Sequence, residues 1–362
     1  MNIGIIGLGE AAQLMHLPTI NDMGEQFKIC GIYDVSPSLT GFIKKTWRIP
    51  RGFSDPGDLI REPEIEALFI LSPDQYHGEY IETALKAGKH VFVEKPAVLA
   101  SGELEKLIRL ENEYQNRIVM VGYMRRYADH FLMAKELLRK EPCETAYLRF
   151  RDLICEGPFY IGQTRPVFYP RDIPPSVIEE GKKRRREHLD RAIGAAASEE
   201  QRRAYQMLTG LGCHSFSAVR ELFGLPQKIL SVSTAREGGH LVIVMEYDGF
   251  LAVYELVNDQ EFVQFDAAIE IFQHTRKLLI KYETPYVRHQ PMSLEVSLAP
   301  RPGVSSGAET RIYGPSYRDP FRAELDEFYR CIAEGRRPKT NLTDALEDLK
   351  FFEDVLRRIG VS

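Results

Sequence analysis

No two of the five cysteines (Cys30, Cys143, Cys155, Cys213, Cys331) stand at the two-residue interval that metal and dithiol sites favour, and their number is odd. That spacing argues against a disulfide framework and predicts free thiols in a reducing compartment, with no metal bound. Charge of one sign is also scarce as a block. The formal net charge of −5 is spread along the chain, which removes the electrostatic reason to expect a nucleic-acid or anionic-membrane partner. No apolar run approaches the length that spans a bilayer. The opening Met1-Asn2-Ile3-Gly4-Ile5-Ile6-Gly7 lacks the basic residues and small-residue cleavage site of a secretory signal, so a cytoplasmic location is expected.

What is present is a chain of 362 residues, 44% apolar and 27% charged, too long for one comfortable core and too apolar to be disordered. Two domains are therefore expected, 1–122 and 123–362. In the first, short β-branched runs alternate with stretches of helical period, as parallel strands joined by crossover helices do. The predicted strands are Asn2–Ile6, Lys28–Tyr33, Ala67–Leu71, His90–Val93 and Ile118–Val121, with a weaker sixth near Arg51–Phe53.

The turn after the first strand, Gly7-Leu8-Gly9-Glu10-Ala11-Ala12, fits the G-x-G-x-x-G/A fingerprint of dinucleotide sites. Gly7 would permit the tight turn, Gly9 the close approach of a pyrophosphate, and Ala12 the packing of helix on strand. Asp34 follows Gly9 by 25 residues at the end of the second strand, close to the interval of about 20 at which an acid meets the ribose 2′-hydroxyl. That carboxylate would repel a 2′-phosphate. The following Val35-Ser36-Pro37 offers no Arg to neutralise one, so NAD is expected over NADP. A solvated turn aspartate is the alternative.

Further on come Ser72-Pro73-Asp74-Gln75-Tyr76-His77 and then Ala84-Leu85-Lys86-Ala87-Gly88-Lys89-His90-Val91-Phe92-Val93-Glu94-Lys95-Pro96. Together with His16-Leu17-Pro18 and the Val121–Tyr127 junction, these resemble the Gfo/Idh/MocA oxidoreductases. The resemblance implies an N-terminal Rossmann domain with a parallel sheet, followed by an α+β domain with a large, mostly antiparallel open sheet. It assigns Ser72, Pro73, His77, Glu94 and Lys95 to the cofactor site and Lys95 to catalysis. Physically, Lys95 leaves its strand at the carboxyl edge, where open α/β sheets bind ligands, and an ammonium there can donate to a substrate oxygen. A surface lysine paired with Glu94 is the other reading.

Beyond Tyr127 the pattern becomes strand-like: Thr145–Ile154, Gln227–Ala235, Leu241–Tyr247, Phe250–Val257, Phe262–Gln273 and Lys277–Tyr282, a largely antiparallel sheet. The family's Asp-x-Gly-x-His-x-x-Asp segment corresponds to Gly210-Leu211-Gly212-Cys213-His214-Ser215-Phe216-Ser217. The glycine and histidine remain, but Gly210 and Ser217 replace both aspartates. His214 can still accept a proton near neutral pH, with an orienting carboxylate from elsewhere or none. It reads as general base or as a structural or substrate-binding histidine.

Residues 158–208 form a long connection. Its aromatic and polar first part, with Tyr160 and Arg165, suits a sugar pocket or a packed loop, and Arg125 joins these as a substrate candidate. Its second part, a helical insertion at about 174–208, carries Lys182-Lys183-Arg184-Arg185-Arg186 among acids and reads as a solvated face or subunit contact. Two terminal helices, Asp319–Glu334 and Leu342–Ile359, close the chain.

The function expected from the resemblance is NAD-dependent hydride transfer to or from a carbinol carbon of a sugar, cyclitol or polyol, by a homodimer or homotetramer. A glycosidase or lyase-like enzyme that recycles bound NAD is a second class. A non-catalytic NAD-binding protein is the third.

Overall fold

The computed structural model of the chain describes residues 1–155, 158–164, 166–262, 264–299 and 309–359. The backbone divides into two units, each gathered from separate pieces of chain. The first comprises Met1–Tyr123, Ile161–Ala197 and Glu324–Lys350, and the second comprises Met124–Tyr160, Ser198–Ala323 and the closing residues from Phe351.

The first unit is built on a five-stranded parallel sheet in the order β2-β1-β3-β4-β5. Its strands are β1 (Asn2–Ile6), β2 (Lys28–Tyr33), β3 (Ala67–Ile70), β4 (His90–Glu94) and β5 (Val119–Gly122). The central strands read as continuous apolar runs because helices cover both faces. Ile5, Phe69 and Phe92 are all fully buried, each contributing about 1.5–3 kcal/mol by leaving water.

The expected sixth strand shrinks to a single bridge between Ile32 and Gly52. Pro50 precedes the segment, and Asp55 already caps the helix Pro56–Arg61 by accepting from the Asp58 N–H at 3.1 Å. Too few residues remain to extend the ladder.

A single cut after residue 122 is replaced by this discontinuous division, for two physical reasons. Phe328 enters the aromatic cluster of the parallel sheet, with its ring 5.8 Å from both Phe69 and Phe92, and the Thr340 carbonyl accepts from the Val121 N–H at 2.8 Å. The helix Pro175–Ile193 and the loop before it likewise fasten to the nucleotide-type unit.

The second unit carries an eight-stranded sheet, β13-β12-β11-β10-β6-β9-β8-β7. The strands are β6 (Thr145–Ile154), β7 (Lys228–Ala235), β8 (His240–Tyr247), β9 (Phe250–Asn258), β10 (Asp266–Gln273), β11 (Arg276–Tyr282), β12 (Met292–Leu298) and β13 (Glu309–Ser316). All neighbours are antiparallel except β6 and β9. The helix Cys213–Phe223 packs on β6 and β10, above a stacked Phe150–Tyr254 pair with centroids 4.3 Å apart. Two strands, β12 and β13, exceed the six expected. Among the described residues no helix is long and apolar enough to cross a membrane.

Candidate active site

The carboxyl ends of β1, β2 and β3 converge on one cleft of about 480 Å3, lined by Gly7, Asp34, Ser72 and Pro73 among others. Gly7 adopts φ +92°, and a Cβ there would lie 2.5 Å from the Ser72 nitrogen, so the turn requires glycine. Gly9 is different: a Cβ on it would meet no atom within 4 Å. Nothing in the protein explains that glycine, whereas a pyrophosphate laid against the backbone would. Ala12 is buried at the start of a widened helical turn, Ala12–His16, that leads into the helix Leu17–Asp22.

Asp34 is half-buried, and its two oxygens accept from the Leu8 N–H and the Ser36 N–H, each at 2.9 Å. Burial pushes its carboxyl above the usual range, the two N–H groups pull the other way, and the nearby Asp172 charge adds to the rise. Ser72 Oγ is buried in the protein and has no hydrogen-bond partner among the described residues. An orphaned hydroxyl on a cleft wall is a place for a ligand's polar group. These features fit a dinucleotide.

His77 stands behind this wall. Its Nε2 lies 2.7 Å from the Ser72 carbonyl and its Nδ1 2.8 Å from the Pro96 carbonyl, so it ties the turn after β3 to the segment after β4. Glu94 ends β4, with His16 Nε2 at 2.7 Å and the Lys95 N–H donating at 3.1 Å. Burial would raise the Glu94 carboxyl, but the His16 hydrogen bond and the His16 and Lys95 charges outweigh it and hold the group below its ordinary value. Lys95 is half-buried at the same sheet edge.

His214 belongs to the second unit. It is buried near the start of the helix Cys213–Phe223, after a widened turn at Leu208–Gly212. A Cβ at Gly210 would meet nothing within 4 Å, while one at Gly212 would sit 3.0 Å from Tyr254 Oη. Gly212 is thus fixed by packing, whereas Gly210 leaves the vacated aspartate position sterically open. A fully buried carboxylate of this unit is Asp152 on β6, which pattern reading missed. It pairs with Arg125 at 2.5 Å and accepts from Tyr254 Oη at 2.8 Å, and Arg125 also donates to Ser215 at 2.7 Å.

Arg125, a substrate candidate by sequence, is therefore committed to Asp152, and its guanidinium lies 4.8 Å over the Tyr282 ring. The cavity it lines is only about 50 Å3, far below the roughly 300 Å3 of small-molecule sites. Tyr160 is half-buried, its phenol pushed up to about 12 by burial and a hydrogen bond with Cys155. Arg165 lies outside the described residues.

The stretch read as a solvated face or subunit contact lies on a largely exposed helix that belongs to the first unit. Arg184 pairs with Glu79 at 2.8 Å and Arg185 with Asp74 at 3.2 Å. Sequence reasoning also missed Asp172, which accepts from Ser36 Oγ at 2.5 Å, Ser38 N–H at 2.8 Å and Ser38 Oγ at 2.8 Å. No local signal marks it, because its partners lie more than a hundred residues away.

A glycine-rich first turn, an acid ending β2 and an open antiparallel sheet in the same chain define a dinucleotide-binding oxidoreductase architecture. Residues 1–123 match the profile described as "Oxidoreductase family, NAD-binding Rossmann fold". Over 342 residues, 92% of this chain and 86% of the relative, the sequence is 30% identical to an inositol 2-dehydrogenase 2 of Saccharopolyspora erythraea. The chain belongs to the Gfo/Idh/MocA family of oxidoreductases. It is also 31% identical over 137 residues to an inositol 2-dehydrogenase of Paracoccus denitrificans, 38% of this chain and 40% of that enzyme. Several of the curated relatives are matched over only about two fifths of their length. In fold, the chain is similar to a 3-ketoreductase from Actinomadura kijaniata solved with NADP and TDP-benzene, with TM-score 0.73, 16% identity, and 99% and 97% of the two chains covered.

Proposed function

We propose that the protein is an NAD-dependent dehydrogenase that oxidises or reduces a carbinol carbon of a cyclitol or sugar. The observation that carries this is the cleft at the carboxyl edge of the parallel sheet, lined by Gly7, Asp34 at the end of β2 and Ser72 with its orphaned Oγ, beside a turn that leaves Gly9 open. The inositol dehydrogenases among the relatives support the substrate class.

When bound, the dinucleotide would supply the hydride acceptor or donor at its nicotinamide ring. Gly7 and Gly9 would let the backbone approach its phosphates, Asp34 would accept from ribose hydroxyls, and Ser72 Oγ would complete the polar wall. Lys95 would donate a hydrogen bond to the reacting substrate oxygen, and His214 would take the hydroxyl proton during oxidation. Subunits would pair through the outer face of the eight-stranded sheet, where Leu230, Val242 and Leu251 are exposed.

A panel of cyclitols and sugars, followed by NADH absorbance and by product chromatography together, tests the reading. Absorbance should rise in proportion to oxidised product. Product without net NADH would instead indicate a recycled cofactor, and neither signal from any candidate would count against catalysis on this class.

A further inference from the structure

We propose that the chain from Pro166 to Ile193 completes the cofactor cleft, and that its Asp172 excludes NADP by occupying the place a 2′-phosphate would need. This rests on the dinucleotide reading above.

The cleft is closed on its outer side by Ile173, Val177, Ile178, Gly181, Lys182 and Arg185, facing Gly7, Asp34 and Ser72. The segment is fastened at several points. Gln13 exchanges two hydrogen bonds with the Phe168 backbone, at 2.9 and 3.1 Å, and Phe168 stacks on Phe42 with centroids 4.6 Å apart. The helix Pro175–Ile193 runs so close to Tyr76 that a Cβ at Gly181 would lie 3.3 Å from its hydroxyl. The apolar residues give this wall the character that receives a flat heteroaromatic base.

Asp172 decides what the polar end accepts. Its carboxylate takes the Ser36 hydroxyl, the Ser38 hydroxyl and the Ser38 N–H, at the start of the helix Pro37–Thr46. Those are donors a phosphate would use. Asp34 holds the Ser36 N–H from the other side, so two carboxylates bracket Ser36. A 2′-phosphate, extending from the hydroxyl that Asp34 would receive, meets both negative charges and finds its donors taken. The two cations on the cleft wall each have an acidic neighbour, Lys182 an exposed pair with Glu179 at 2.8 Å and Arg185 a half-exposed pair with Asp74 at 3.2 Å. Asp172 itself is held down to about 2 by the Ser36 and Ser38 hydrogen bonds, so it is ionised throughout the neutral range.

Calorimetric titration of the full chain with NAD and with NADP tests this. The wild type should bind NAD at least about tenfold more tightly, and Asp172→Ala should tighten NADP by about tenfold while leaving NAD within about threefold, as expected when one like charge is removed. Equal weakening of both nucleotides by Asp172→Ala would make the residue a mere anchor and overturn the selectivity claim. Val177→Asp should weaken NAD by at least about tenfold at unchanged thermal stability, since it places a charge on an apolar wall; unchanged NAD affinity would overturn the claim that this segment lines the site. A wild type that binds NADP as tightly as NAD also overturns the selectivity claim while leaving the dinucleotide reading standing. Binding of neither removes that reading as well.

Discussion

At the carboxyl edge of the parallel sheet, Ser72 Oγ is buried without a partner among the described residues and the space over Gly9 is empty of protein. Beneath the helix Cys213–Phe223, by contrast, Arg125, Asp152, Ser215 and Tyr254 answer one another within a buried network. Both sets of groups are polar and sheltered, yet the four network side chains spend hydrogen bonds on one another, whereas Ser72 Oγ spends none among the described residues. Unspent hydrogen bonding on the wall of an open cleft marks a place for a ligand, whereas a closed network marks a device that fixes packing. Sequence patterns assigned Arg125 to substrate because they register residue types, and residue types do not reveal whether a group is already satisfied.

Breaking the closed network should give the largest effect on stability. Asp152→Ala leaves Arg125 buried and uncompensated, a loss of about 3–5 kcal/mol, to be read from denaturant unfolding. The double variant Arg125→Met with Asp152→Leu should recover much of it. A cost under about 1 kcal/mol for the single change would mean that solvent already reaches the pair.

On the open side the expectation reverses. Lys95→Ala should keep the unfolding midpoint and lower turnover at least about a hundredfold, the scale of one lost acid–base group, a much larger loss than any in NAD affinity. Turnover within about threefold of the wild type would take Lys95 off the reacting oxygen.

A smaller effect separates the regions by pH. His130, fully buried beside Tyr282 in the second unit, is lowered to about 4 by burial, which outweighs the Asp129 charge and a Lys281 backbone hydrogen bond acting the other way, with the Arg125 charge adding a smaller fall. Its folded value lies below the unfolded 6.5, so between these values the unfolded chain binds a proton that the folded chain refuses. Stability is therefore complete above the unfolded value and falls as pH drops toward 4. Between neutrality and about pH 5 the wild type should lose about 2 kcal/mol more than His130→Phe. Equal acid sensitivity of the two proteins would place the titrating group elsewhere.

Much of the nucleotide unit was legible because its signals are local: buried parallel strands show as apolar runs, and the Gly7–Ala12 turn and Asp34 lie within one βαβ stretch. The strands β6 to β11 were legible from alternation. β13 was not, since all but its last residue are exposed and no face is apolar. The outer wall of the cleft was hidden for another reason. The helix Pro175–Ile193 buries only Gly181 and Leu189, so its charged composition gave no sign of which unit it joins. Asp172 meets Ser36 across 136 residues, a contact that only the fold creates.

The central claim, that the open edge of the parallel sheet is a dinucleotide site, is tested most directly by calorimetric titration of NAD into the wild type and Gly9→Val. Gly9 has no protein atom within reach of an added Cβ, so the substitution should leave the thermal midpoint within about 2 °C. If the pyrophosphate approaches this backbone, NAD affinity falls at least about tenfold, because the branched side chain fills the space the phosphates need. Undiminished NAD binding by Gly9→Val would contradict the account.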